Sequence, residues 1–201
     1  MSELVTFFIG PTKTKFIIHK QIACEASPVL KAAFNSSFVE GQTQTYTLID
    51  TPEATFALFT EWMYTGNIVN RLTGDTPAVE VGLAEAHLLE LWVLAEKLLV
   101  PKIQNRALCL FEEIRDRFSK VCIYKYKYVW ENTADGCTLR AYLLNVLVRC
   151  VLKKAYQTQK QCFTVDILVD AAILLRDILD SGCKLLPLPA VETFYVMEES
   201  E

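Results

Sequence analysis

Residues 4–9 (LVTFFI) and 15–18 (KFII) are short runs of β-branched and aromatic side chains, the pattern of strands with a packed face. Gly10-Pro11-Thr12-Lys13 stands between them as a hairpin turn. From about Lys20 the apolar spacing becomes helical. Ser27-Pro28 then restarts a helix, with serine as N-cap, proline at the first helical position, and Val29, Leu30, Ala33 and Phe34 on one face. Residues 45–49 form a third strand. Thr51-Pro52-Glu53 repeats the cap and proline signal and opens a helix whose Phe56, Phe59, Trp62 and Met63 point inward, with Gly66 closing it in the left-handed conformation.

Residues 70–80, which include Gly74 and Pro77, read as a loop or linker. Residues 83–99 form a strong helix carrying Leu88, Leu91, Trp92, Ala95 and Leu98, and Pro101 both ends it and starts the next, which runs to about Phe118. Residues 121–130 alternate apolar and basic positions and fit a short helix and an extended piece equally. Two long helices follow, over 138–155 and 165–181, the second ending at Gly182. The first carries a polar stripe of Arg140, Arg149 and Lys153; the second carries Asp166, Asp170, Asp177 and Asp180. An antiparallel hairpin turning near residue 160 sets Lys153 level with Asp166, Arg149 with Asp170 and Arg140 with Asp180. Exposed pairs are each worth about 0.2–1 kcal/mol, so the apolar faces hold such a hairpin and the charges select its register. The order of elements is that of an α+β protein with an all-helical second half.

A chain of 201 residues that is 52% hydrophobic and 22% charged buries a substantial core, and its apolar bias points to wide buried faces or to a partner that covers some of them. The net charge of −4 and the scattered basic residues argue against nucleic acid, since no cationic stripe follows a phosphate backbone. Residues 4–9 are too short, and too acidic in their flank, for a signal peptide. The apolar stretches 139–152 and 165–179 are broken by Arg140, Arg149, Asp166, Asp170 and Arg176, which makes a bilayer span costly. Seven cysteines without a Cys-x-x-Cys pair suit reduced, mostly buried thiols in an intracellular protein, cytoplasmic or nuclear, where the sequon at Asn35 is silent.

Catalytic signatures are sparse. There is no Gly-x-Ser-x-Gly, no Gly-x-Gly-x-x-Gly and no phosphate-binding loop. His19 as a base with Cys24 as nucleophile has no third group in view to orient it, and a structural imidazole is the better reading. His87 lacks the second histidine of a zinc helix. Cys150, Cys162 and Cys183 fall singly on separate elements, where burial is the ordinary role of a thiol. No enzyme, metal or cofactor is expected.

The segments VTFFIG (5–10), FIIHK (16–20), SPVLKAAF (27–34), FVEG (38–41), WMYTGNI (62–68) and LELWVLAEK (89–97), in this order and spacing, resemble the BTB/POZ domain over about residues 4–118. Residues 119–201 resemble the helical extension of small stand-alone BTB proteins of filamentous fungi. The resemblance implies a small mixed sheet capped by a helical cluster, working by protein–protein interaction. Several members are substrate adaptors of cullin-based ubiquitin ligases, in which an apolar-x-Glu motif contacts the cullin, and Phe38-Val39-Glu40 stands at that place here. An aromatic anchor gains about 25 cal/mol per Å² buried, while a neighbouring carboxylate selects partners by charge. The alternatives are a loop with Phe38 folded back onto Phe34 and Glu40 in water, and a scaffold that self-associates or binds a transcriptional or signalling partner. With only Met1-Ser2-Glu3 ahead of the first strand, the family's domain-swapped dimer is not expected. The family's usual Asp at the start of that strand is replaced by Glu3 or Leu4, so no role passes to it. With no further recognition module in the sequence, a substrate-recruiting surface is expected within residues 119–201.

Overall fold

The hydrophobic run at the N-terminus forms strand β1, Leu4–Ile9, which pairs antiparallel with β2, Thr14–His19, from Leu4↔His19 to Ile9↔Thr14. These positions come from a computed structural model that describes residues 3–119, 121–182 and 187–198. The hairpin turn falls where Gly10 takes φ +70° and Lys13 φ +55°, and the Lys13 N–H donates to the Gly10 carbonyl. Helices α1, Lys20–Ala26, α2, Pro28–Phe34, and α3, Val39–Thr43, then carry the chain across to β3, Thr45–Leu48. This crossover lets β3 join β1 in parallel, Thr6↔Thr45 to Ile9↔Leu48, giving a mixed sheet in the order β2-β1-β3. Helix α4, Glu53–Thr65, completes this first stretch.

The contacts divide the chain into two units. One comprises Met1–Arg71, Glu90–Ala107 and Met197–Glu201; the other comprises Leu72–Leu89 and Leu108–Val196. In the first, alternate β1 residues Val5, Phe7 and Ile9 point into the core, as the two-residue period of a strand requires. They meet an aromatic cluster in which Phe7 packs edge-on against Phe34 at 5.6 Å and Phe16 edge-on against Phe56 at 5.0 Å. Ser27 is fully buried; its hydroxyl accepts the Leu30 N–H as the α2 cap and donates to the Leu98 carbonyl at 2.6 Å. One hydroxyl therefore satisfies groups far apart in sequence. Gly66 closes α4 at φ +69° with its N–H on the Trp62 carbonyl, as its sequence position predicts.

Some expectations shift. The Thr51 cap signal fails: Pro52 occupies the N-cap position of α4, and the Glu53 carboxylate in its first turn takes hydrogen bonds from the Thr12 and Thr14 hydroxyls. Helix α5, Ala78–Lys97, starts inside the expected linker, because the Pro77 carbonyl accepts the first helical bond, from Val81. Pro101 does begin α6, Pro101–Phe118.

In the second unit, residues 121–130 resolve into a single tight turn, Ile123–Lys125, followed by α7, Tyr126–Asn132, which buries Tyr126, Val129 and Trp130 at helical spacing. The helix expected over 138–155 stops as α8, Thr138–Cys150, with Val151 and Leu152 extended before a short α9, Lys153–Thr158. That break lets the Tyr156 hydroxyl donate to the Leu147 carbonyl at 2.8 Å, satisfying one of the acceptors left over at the end of α8. Helix α10, Val165–Asp180, is capped by Thr164 and packs against α8 and α7. The expected ladder of charges between these helices does not form at Arg140 and Asp180. Arg140 pairs with Asp135 and Asp180 with Arg176, partners close in sequence whose meeting costs little chain entropy. Asp170 accepts the Trp130 indole N–H at 2.9 Å. Among the described residues no helix is long and apolar enough to cross a membrane.

Candidate functional site

Phe34 ends α2 as a buried anchor, edge-on to Phe7 and 6.1 Å from the Tyr46 ring. Beyond it, Ser36 turns the chain outward. Its hydroxyl donates to the Ala33 carbonyl at 2.8 Å and accepts the Phe38 N–H at 3.2 Å, a local side-chain turn of the kind that competes with helix. Phe38 becomes the extended N-cap of α3, its carbonyl taking the Gln42 N–H, while the Gln42 side chain donates to the Ser37 carbonyl and the Thr43 hydroxyl to the Val39 carbonyl. Gln44 ends α3 in the left-handed conformation, φ +52°. Its side-chain amide donates to the Phe34 and Gly41 carbonyls, and its own carbonyl receives the Thr6 N–H of β1. The three-residue motif is thus fastened on both sides to core elements.

The result is a rigid mount for apolar side chains. Phe38, the N-cap, is 74% exposed and Val39, the first residue of α3, 63%, with half-buried Glu40 next in the chain. The Phe38 ring stands in solvent, and the aromatic neighbours of Phe34 are Phe7 and Tyr46. Burial first, and the charge of Glu40 second, push the Tyr46 hydroxyl pKa up. Gly41 is the residue this mount depends on. A Cβ there would stand 1.9 Å from the Ser36 carbonyl oxygen and 2.8 Å from its carbon, so the turn closes only on a bare α-carbon.

A family model described as the BTB/POZ domain matches residues 4–105, half of the chain. The chain belongs to the BTB/POZ domain family. Its mixed three-stranded sheet with helices around it is the α+β arrangement expected of that fold. BTB/POZ domains are protein–protein interaction modules; the family is not one of enzymes. No curated protein matches the chain.

The other candidate residues of this BTB/POZ protein occupy unremarkable settings. His19 and Cys24 line one open cleft of about 610 Å³, together with Glu3, Lys20, Asn35 and Tyr64. The His19 Nδ1 is 2.8 Å from the Tyr64 hydroxyl, and the Cys24 sulfur takes the Asn35 side-chain N–H at 3.8 Å. The imidazole is therefore oriented by a phenol and not by a carboxylate. His87 is half-buried within α5. Cys150 receives the Arg115 guanidinium at 3.9 Å and Cys162 sits in the turn Lys160–Cys162; burial raises the pKa of both thiols, while Cys183 lies outside the described residues. Cys122, the most deeply buried of the described thiols, is pushed up to about 12 by desolvation first and the Glu85 charge second, away from the thiolate that nucleophilic chemistry requires. Among the described residues no group of three or more His, Cys, Asp and Glu side chains is gathered to hold a metal ion.

Sequence reasoning missed the polar anchors of the second unit. Arg140, 8% exposed, donates to the Thr133 hydroxyl, to the Trp130 and Thr133 carbonyls and to Asp135, and lies over the Trp130 ring at 5.4 Å. Glu112 is held by a two-pronged Arg115 contact, 2.7 and 2.9 Å, and by the Tyr142 hydroxyl. An i,i+3 Glu-Arg spacing in α6 signals the second pair, but nothing local to Arg140 signals that it turns inward.

Proposed function

We propose that this BTB/POZ protein is a substrate adaptor of a cullin-based ubiquitin ligase, docking the cullin through Phe38, Val39 and Glu40. The observation that carries this reading is the solvent-facing Phe38-Val39 pair on a mount whose every turn is hydrogen-bonded, with Glu40 beside it. A preformed apolar anchor binds without the cost of ordering a loop first. In this reading residues 4–118 supply the cullin-binding domain and residues 119–201 the helical extension that meets substrate.

The test is titration of the purified chain with a cullin N-terminal region. Fully burying a phenylalanine is worth about 1.5–3 kcal/mol, and Phe38 has most of that still to gain, so Phe38→Ala with Glu40→Lys weakens binding by about tenfold or more. Absence of association at tens of micromolar removes the ligase reading. The competing reading, a scaffold that self-associates, then predicts an oligomer in light scattering that the double variant leaves intact.

A further inference from the structure

Helix α10 carries a second apolar stripe besides the buried one. Ile167, Ala171 and Ile178 recur at helical spacing and are buried, the stripe by which the helix packs on its own unit. About a third of a turn round from it, Val165, Leu168, Val169, Leu175 and Leu179 form a second, broader apolar stripe, interrupted by Arg176, with Val165 75% and Leu179 61% exposed. A helix of this length presents about 24 Å of apolar ridge to solvent. Between the two stripes, along one edge, run Asp166, Asp170, Asp177 and Asp180, against a single Arg176 that is already paired with Asp180 at 2.9 Å. A cleft of about 280 Å³ opens at this edge, between α8 and α10, lined by Asp135, Arg140, Leu144, Asp170, Ile173 and Asp177. Its one cation, Arg140, is consumed by Asp135 and two backbone carbonyls, so the cleft has negative charge to spare over an aliphatic wall.

We propose that this face of α10 docks an amphipathic helix of a partner protein whose apolar stripe is edged by lysine or arginine, one basic side chain entering the cleft beside Asp170 and Asp177. Charge complementarity selects this occupant. A second copy of the chain, laid antiparallel, sets aspartate edge against aspartate edge, and laid parallel leaves both edges without cations. A lipid surface favours helices with basic edges, the opposite of this one. The site makes no use of Phe38, Val39 or Glu40 and stands independently of cullin docking.

The experiment titrates the full chain with a labelled synthetic helix of about 20 residues, leucines on one stripe and lysines at its edges, and with the same peptide carrying glutamates in place of the lysines. The lysine peptide is expected to bind at least about tenfold more tightly, Asp166→Lys with Asp177→Lys to invert that preference, and Val169→Gln with Ile173→Gln to weaken both peptides by about tenfold or more. All four positions are exposed, Ile173 and Asp177 also lining the cleft, and circular dichroism checks that each variant keeps its helix content. Equal binding of the two peptides overturns the proposal, as does no binding at about 100 µM, where an interface of this kind is still detectable. A dimer in light scattering that Val169→Gln with Ile173→Gln dissociates overturns it in favour of a second copy. Cullin titration of the same variants stays at the wild-type level, so this failure and that of the adaptor reading are told apart.

Discussion

Replacing Gly41 by alanine adds one methyl group where the structure has no room for it. Its nearest neighbours are the Ser36 carbonyl oxygen at 1.9 Å, the Ser36 carbon at 2.8 Å and the Ser36 nitrogen at 3.1 Å, all backbone atoms that cannot rotate aside. Inside a helix, Gly→Ala by itself stabilises by about 0.5–1 kcal/mol, whereas overpacking of this kind costs about 1–3 kcal/mol and sometimes more. The clash wins, and Gly41→Ala lowers the melting temperature by several degrees, given roughly 2–4 °C per kcal/mol for a chain of this size. Gly82→Ala in α5 is the internal control, because its methyl meets only the Tyr124 ring and hydroxyl at 3.8 Å, ordinary contact distance. That variant gains about 0.5–1 kcal/mol and melts higher. Scanning calorimetry of both variants, with limited proteolysis to locate loosening around residues 36–44, measures the difference. If Gly41→Ala melts at or above the wild-type temperature, Ser36 and Gly41 do not approach as described, and the rigid mount for Phe38 is wrong.

Acid sensitivity of the second unit follows from Glu112. Burial raises its carboxyl pKa, but hydrogen bonds from Arg115 and Tyr142 and the Arg115 charge together outweigh burial and leave it below the ordinary 4.5. A carboxyl depressed on folding adds stability above its unfolded pKa and loses it as the pH falls through the folded value, so Glu112→Gln flattens the decline below about pH 4.5 in urea titrations run at a series of pH values. An unchanged acid slope contradicts the pairing. Arg140→Lys keeps the charge but loses the planar fork that reaches Thr133, Trp130 and Asp135 together; it costs about 1–3 kcal/mol, read by denaturation followed through tryptophan fluorescence, and equal stability refutes the role given to the guanidinium.

What was legible in advance was local. The turn at Gly10, the Ser27-Pro28 cap, the stop at Gly66 and the start at Pro101 each rest on one or two residues whose backbone preferences hold in any context. The ordered series of short motifs was enough to place the chain in its family, and it marked Phe38, Val39 and Glu40 as the residues to watch. The charge stripes misled, because a stripe shows which side of a helix is polar but not which partner each charge chooses. Arg140 found Asp135 and Asp170 found Trp130.

The amino-acid order alone therefore determined the strands, several helix ends and the family, since hydrogen-bonding geometry and φ preferences act within a few residues. Only the folded chain decided that Ser27 serves α2 and Leu98 at once, that Gly41 must be bare to pass Ser36, and that α10 keeps an apolar face in water. Burial and close approach depend on which distant segments arrive at the same place, and apolar periodicity is the same whether a face meets the core or waits for a partner.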